Sequence, residues 1–388
     1  MARDDMSGAS SAKPRLLYVV TEDWAFLSHR LPMARAAREA GFEVHVATRV
    51  SDGATAIEAE RFILHPIPFV RGSLSPVATL STVAALRRVH REVKPVLTHH
   101  VALQACVLGM LASLGRRCAC VNAFIGLGYS FTSGTGKARA VRTVVGPLLR
   151  FLVNRKNSIA LVQNDDDMAA LTSLGVAKNR IALIAGSGVD VNRFTPLAEP
   201  FGAPTFGFVG RLLDDKGIRT LVVAHRLLRK RIPDANLLIA GTPDSANPAS
   251  VTEAEARSWN GEAGVTWLGH VADIAAFWAK VHVAVLPSRR EGLPLSLMEA
   301  AACGRAMIAS DVAGCREIVL HEQTGLLFRV DDAATLADAM SRLTTDQALR
   351  ARCALAARKL VVERFAAEII GPQTVALYRR ALEQISAC

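Results

Sequence analysis

Val281-His-Val-Ala-Val-Leu-Pro-Ser-Arg-Arg-Glu-Gly-Leu-Pro-Leu-Ser-Leu-Met-Glu299 is the stretch whose reading decides the fold. Val281–Leu286 is a short run, apolar apart from His282, as expected of a strand buried on both faces. A loop containing Gly292 follows. A helix then opens near Pro294, where the missing N–H and the fixed φ of proline cost nothing. Strand, loop and helix in that order imply a parallel sheet. The first N–H groups of such a helix have no intrahelical acceptor and sit at the positive end of its dipole. Gly292 permits close backbone approach, so Gly292, Leu293, Pro294 and Leu295 read as a cradle for a phosphate. Glu291 and Glu299 would lie ~12 Å apart if helical throughout. Carboxylates that cleave one glycosidic bond sit ~5–9.5 Å apart. The pair therefore reads as two grips on different parts of an elongated ligand.

Working outward, the alternation continues on both sides. Strand-like runs recur at 205–210, 235–240, 264–268 and 305–310, and helical patterns fill 332–344, 346–363 and 366–386. Upstream, Arg15–Thr21 and Phe42–Thr48 read as strands, with a loop at 22–29 and a helix at 31–40 bracketed by Pro32 and Gly41. Further runs at 95–98, 118–123, 157–162 and 180–184 alternate with helical segments at 76–92, 101–114, 137–153 and 165–174. Between 186 and 204, Gly186, Gly188, Pro196, Pro200, Gly202 and Pro204 break the pattern. The expected division is a tail over 1–14, an N-terminal domain over 15–190 and a linker over 191–204. A C-terminal domain over 205–365 follows, and a last helix over 366–388 packs back on the N-terminal domain. The fold class is α/β: two doubly wound, Rossmann-like domains facing a cleft, with ligands at the carboxyl ends of the strands.

The chain of 388 residues is 51% hydrophobic and 21% charged, which excludes global disorder. Its net charge of +11 is uneven. Residues 1–190 hold 23 basic and 14 acidic side chains, a net of +9, and 191–388 hold 23 and 21, a net of +2. Within 61–156 there are 14 basic residues and one acidic residue, Glu92. An anionic membrane, nucleic acid or an anionic substrate would explain such a half. The seven cysteines form no C-x-x-C pair and no metal spacing, which reads as a reducing, cytosolic setting. The first 14 residues hold no apolar core of a secretion signal. The apolar runs at 101–114 and 143–153 fall short of the ~20 residues of a membrane span.

A second constellation is Phe206-Gly-Phe-Val-Gly210-Arg211-Leu-Leu-Asp-Asp-Lys216-Gly217. A strand ends at Gly210, and the loop presents a guanidinium for bidentate phosphate contacts and an ammonium as a point charge. With both stretches in view, the chain resembles the retaining glycosyltransferases of family 4, which have the GT-B fold. It is most similar to the branch that adds an N-acetylhexosamine to bacterial undecaprenyl-diphosphate sugars. The resemblance spans about 15–385 and includes Phe26–Pro32, Gly126–Ser133 and Gly186–Phe194. It implies that Gly210, Arg211 and Lys216 clamp the donor diphosphate and that Glu291 contacts the transferred sugar. It further implies that Glu299 takes the ribose hydroxyls and that Val271, within Trp267–Asp273, lines the base. His29, Arg30, Gly126, Gly128 and Tyr129 would shape the acceptor side. His99 would position or polarise the sugar, although His100 could equally face the cleft. Many relatives carry a Lys five residues after that His, where this chain has Gln104. His45 and His65 read as structural.

The resemblance implies a UDP-sugar donor, no required cofactor and no metal. It also implies a polyprenyl-diphosphate-linked sugar as acceptor, and attack on the face from which the diphosphate departs. Asp165-Asp166-Asp167 reads as helix capping and not as a metal motif. Arg87, Arg88, Arg91, Lys94, Arg116 and Arg117 suggest attachment to the inner face of the cytoplasmic membrane. Two rivals stay open. One is a UDP-sugar 2-epimerase on the same architecture. The other is a non-catalytic protein binding sugar nucleotide or nucleic acid. Aromatics at 5% and no stacking pattern speak against nucleic acid as a partner.

Overall fold

The computed structural model describes residues 13–71, 75–125, 136–244, 247 and 249–386. The chain forms two compact units. One comprises residues 1–123, 149–160 and 374–388, and the other residues 124–148 and 161–373.

The first sheet contains β1 (Arg15–Glu22), β2 (Glu43–Arg49), β3 (Ile63–Pro66), β4 (Leu97–Val101), β5 (Ala119–Ala123), β6 (Ser158–Val162) and β7 (Ile181–Leu183). Their order is β3-β2-β1-β4-β5-β6-β7. The pairs β1–β2, β1–β4, β2–β3 and β4–β5 are parallel, with Tyr18 opposite His99 and His99 opposite Val121. Every residue of β4, β5 and β6 is buried, as expected of central strands covered on both faces. The second sheet contains β8 (Thr205–Val209), β9 (Asn236–Ala240), β10 (Val265–Trp267), β11 (Val283–Leu286), β12 (Ala306–Ser310) and β13 (Gly325–Phe328). Their order is β10-β9-β8-β11-β12-β13, a doubly wound arrangement. The pattern in the helix Ile218–Arg229 shows why it packs there. Ile218, Leu221, Val222, His225 and Leu228 recur at helical spacing and are all buried. Among the described residues, no helix is long and apolar enough to cross a membrane.

Three local expectations need correction. Residues 22–29 are not a loop: Asp23–His29 is a helix. The buried Asp23 carboxylate ties its start to the loop after β2, accepting from the N–H groups of Trp24, Ser51 and Gly53 and from the Ser51 hydroxyl. The run at 95–98 is displaced, because β4 begins at Leu97 and carries on through both histidines to Val101. The strands β3 and β13 fall outside the expected runs. Each has four residues and lies at a sheet edge, where the alternation is weakest. The capping role of Asp165–Asp167 stands: they fill the first turn of Asp165–Ser173, and Asn164 caps it by accepting from Asp167 N–H at 2.8 Å.

Candidate active site

Strands β8 and β11 are neighbours, yet β9 continues the sheet on one side and β12 on the other. Loops leaving such a pair diverge, and the crevice at their carboxyl ends is where doubly wound sheets hold ligands. Both sequence constellations occupy these loops. After β8 the chain makes a tight turn over Asp214–Lys216 and reaches Gly217 at φ 66°. A Cβ on Gly217 would lie 2.0 Å from the Pro287 carbonyl oxygen. Glycine alone lets this loop rest on the one that follows β11.

Polar contacts then join the two loops. Lys216 Nζ donates to Glu291 Oε1 at 2.5 Å, and Ser288 Oγ donates to the same oxygen at 2.6 Å. Arg289 N–H donates to the Asp215 carbonyl at 2.8 Å, and Arg290 pairs with the Asp215 carboxylate. The Lys216 and Glu291 side chains are only 25% and 9% exposed, so their pairing is shielded from bulk water.

The loop over 291–294 is held from behind. Gly292 carbonyl accepts from Asn164 Nδ2 at 3.0 Å. A Cβ on Gly314 would lie 2.3 Å from that same oxygen, so the helix Ala313–Arg316 packs directly under the loop. The helix Leu295–Ala302 starts after Pro294 with no side-chain cap. Its first N–H groups remain available to an anion.

Arg211 donates from Nη1 to Asp244 Oδ2 at 2.9 Å, and Asp244 N–H in turn bonds Ser250 Oγ. Gly210 N–H donates to the Ala240 carbonyl, fixing the base of the loop. Trp267 Nε1 bonds the Gly241 carbonyl at 2.8 Å, and Val271 is half-buried in the stretch that follows. Burial pushes the Glu299 carboxyl up to about 8, against the pull of the Arg193 charge. Among the described residues, no group of three His, Cys, Asp or Glu side chains gathers to hold a metal ion.

The N-terminal candidates sit in a different setting. His29 ends the helix Asp23–His29 and is half-buried, while Arg30 is 1% exposed. His99 and His100 lie inside β4 and are both fully buried. Successive strand residues face opposite sides of the sheet. His99 therefore stacks on Tyr18 and bonds Tyr378 Oη at 2.6 Å, while His100 bonds Asn122 Oδ1 at 2.7 Å. Burial and the Arg30 charge hold His99 well below the usual imidazole range, so it is neutral. Among the described residues, Arg30 has only Met33 Sδ as a partner, near Nη1, and its Nε and Nη2 have none. Gln104 donates to the Val70 carbonyl at 3.0 Å. Gly126, Gly128 and Tyr129 lie outside the described residues.

The structure thus unites Lys216, Glu291 and the Gly292–Leu295 loop, and places Arg211 on Asp244. Sequence reading missed Ser288, Asp244, Asn164, Tyr18 and Tyr378. Ser288, three residues before Glu291, and Asn164, immediately before the Asp triplet, left a local signal. The tyrosines left none.

Comparison with known proteins agrees with this architecture. Residues 15–164 match the family model of glycosyl transferase 4-like proteins, and residues 203–346 match that of glycosyl transferases group 1. One relative is the N,N'-diacetylbacillosaminyl-diphospho-undecaprenol α-1,3-N-acetylgalactosaminyltransferase of Campylobacter jejuni. It is 25% identical over 382 residues, covering 93% of this chain and 99% of the relative. Among solved structures, sucrose-phosphate synthase from Thermosynechococcus elongatus superposes with a TM-score of 0.80 at 23% identity, covering 95% of this chain and 99% of that one. Anabaena HepE in complex with UDP-glucose superposes with a TM-score of 0.76 at 19% identity, covering 94% and 99%. Two matched halves, two doubly wound sheets and relatives of the same length lead to one conclusion: the chain belongs to the glycosyltransferases, with a 4-like N-terminal half and a group 1 C-terminal half on the GT-B fold.

Proposed function

We propose that this glycosyltransferase moves a hexose or N-acetylhexosamine from a UDP-sugar to a polyprenyl-diphosphate-linked sugar, with retention of anomeric configuration. The observation that carries the reading is the shielded Lys216–Glu291 pair beside an uncapped helix start. Departure of UDP develops negative charge on the β-phosphate. The N–H groups at the start of Leu295–Ala302 meet that charge in place, and Lys216 and Arg211 meet it by turning from Glu291 and Asp244 to the diphosphate. Glu291 exchanges Lys216 for the hydroxyls of the transferred sugar, Glu299 accepts from the ribose diol, and Val271 lies against the base. The departing phosphate takes the proton of the acceptor hydroxyl. The Campylobacter relative's named acceptor and the HepE complex with UDP-glucose support this choice of substrates. The domain limits given above, 15–190 and 205–365 with a linker at 191–204, are part of the same reading, as are His29 and Arg30 on the acceptor side and His99 positioning the sugar.

A lipid acceptor requires contact with a membrane. Val77 and Leu80 at the start of the helix Pro76–Val93 are 77% and 69% exposed, and Arg87, Arg88 and Arg91 occupy its far end. Each cation near an anionic leaflet contributes roughly 1 kcal/mol. This supports peripheral attachment at the inner face of the cytoplasmic membrane.

The test is nucleotide release from UDP-, GDP- and ADP-sugars, with and without a bacterial polyprenyl-diphosphate sugar extract. Release from one UDP-sugar, stimulated by the lipid, is the expected result. Conversion to an epimer without acceptor would replace this reading with a 2-epimerase. Silence with every donor would refute it.

A further inference from the structure

The first sheet has a crevice of its own. Its strands run outward from β1 to β3 on one side and from β4 to β7 on the other, and ligands of doubly wound sheets lie beyond the carboxyl ends at such a switch point. β1 ends there on Glu22, whose side chain is 2% exposed. Its partner is Arg49, the last residue of β2. Two guanidinium nitrogens converge on a single carboxylate oxygen: Nε donates to Oε2 at 3.0 Å, and Nη2 lies 2.8 Å from the same atom. A guanidinium fork can take both oxygens of a carboxylate. Here it leaves Oε1 buried and without a hydrogen-bond partner among the described residues. An unpaired buried acceptor is costly, and one that persists calls for an explanation.

The surrounding backbone is shaped around this group. The register between β1 and β2 shifts between Val19 and Glu22, an irregularity of the kind that re-aims a side chain. Asp23, the next residue, accepts from the N–H groups of Ser51 and Gly53, and a Cβ on Gly53 would lie 3.0 Å from the Asp23 side chain. The ends of β1 and β2 are thereby pinned together beside the Glu22–Arg49 pair. On the β4 side, Val20 pairs with Val101, the last residue of that strand. Ala102 follows with φ 69° and ψ 158°, a region occupied almost only by glycine. Its N–H donates to the Ala123 carbonyl and its carbonyl accepts from Cys106 N–H, so the fold around it maintains the strain. Strained residues of this kind gather at ligand sites.

The chemistry of the free oxygen narrows the ligand. Arg49 already balances the charge of Glu22, so Oε1 needs no second cation, and an anion would be repelled there. A carboxylate oxygen only accepts hydrogen bonds. A neutral O–H donor fits, and a sugar presents several. We propose that Glu22 is a binding residue for the acceptor, its Oε1 accepting a hydrogen bond from a hydroxyl of the acceptor sugar. The proposal rests on the reading of the chain as a transferase to a sugar acceptor.

Transfer is measured with a UDP-sugar and a short-chain polyprenyl-diphosphate N-acetylhexosamine. Binding of methyl N-acetylhexosaminides is followed in parallel by saturation-transfer NMR. The wild type is compared with Glu22→Gln and with Glu22→Leu/Arg49→Leu, which removes both charges together and keeps the protein folded should the single variant fail. Thermal melts check each preparation. Both variants are expected to raise the acceptor KM about tenfold or more and to leave the donor KM in place. Replacing each hydroxyl of the acceptor's terminal sugar by hydrogen in turn should find one analogue that the wild type uses about tenfold less well, and that Glu22→Gln uses no worse than the parent acceptor. A purely structural role would lower the melting temperature with the acceptor KM unchanged, and that result overturns the proposal. An equal rise in the donor KM overturns it too. If no donor and acceptor give transfer, the transferase reading fails, and the glycoside arm decides alone. Wild-type binding that both variants lose then sustains a sugar hydroxyl on Oε1. Binding that is absent from the wild type, or unchanged in the variants, overturns it.

Discussion

The two units place their polar side chains under opposite conditions. In the second, Lys216, Glu291, Ser288, Asp215 and Arg290 satisfy one another across two loops at the rim of a sheet. In the first, Arg30, His99, Tyr18 and Tyr378 are enclosed in the core, and among the described residues the guanidinium faces phenols and an imidazole with no carboxylate. On the proposed reading, the groups that exchange partners with a ligand are the ones that stay paired and partly wet. A buried cation without a counter-ion costs several kcal/mol, and a fold keeps it only if something else depends on it.

The largest effect expected from breaking this contrast is on the donor side. Lys216→Ala should lower turnover by about 10²–10³, as loss of one preorganised donor does elsewhere. The melting temperature should move little, because the pair lies on a loop. Nucleotide release and thermal melts of the same preparation check both halves of the statement. Arg30→Met should do the reverse. Replacing an uncompensated buried cation by an apolar chain of similar length is neutral to stabilising by about 1–4 kcal/mol. If Arg30 is retained for the acceptor, the variant melts higher while the acceptor KM rises. A variant that melts lower would show that the core depends on the charge.

Glu299 sharpens the comparison through pH. Its folded-state value near 8 exceeds that of an unfolded carboxyl, so the folded protein binds the extra proton between about pH 4.3 and 8. Its contribution is intact at acid pH and is lost as pH rises toward 8. Glu299→Gln should therefore flatten the decline of melting temperature between pH 5 and 9, and should weaken UDP binding. Tyr378→Phe is the smallest break. It removes the hydroxyl shared by Tyr18, at 2.7 Å, and His99, at 2.6 Å, and should cost about 1 kcal/mol in denaturant unfolding with the donor KM unchanged.

Much of the region proposed to hold the donor was legible in the chain because its residues fall in local runs. Gly210–Gly217 and Glu291–Glu299 are short runs, and strand–loop–helix order places them at carboxyl ends. What brings the runs together is less visible: the contact of Gly217 with Pro287 joins loops from strands that are neighbours only in the sheet. The N-terminal cluster was harder still. Tyr378 lies 279 positions from its partner His99, and no spacing rule spans that distance. The histidines were misplaced because Thr98-His-His-Val101 has polar residues where a buried strand is expected to be apolar, and only the burial of β4 shows that the strand continues through them.

The backing of the 291–294 loop by Asn164 and Gly314 has a consequence for how donor preference can change. A segment already rigid before a ligand arrives loses little conformational freedom on binding, so its calorimetric signature should carry a small entropic penalty. The same rigidity limits divergence. A new sugar preference would have to come from exchanging side chains on a fixed frame, since reshaping the loop would disturb the helix packed beneath it.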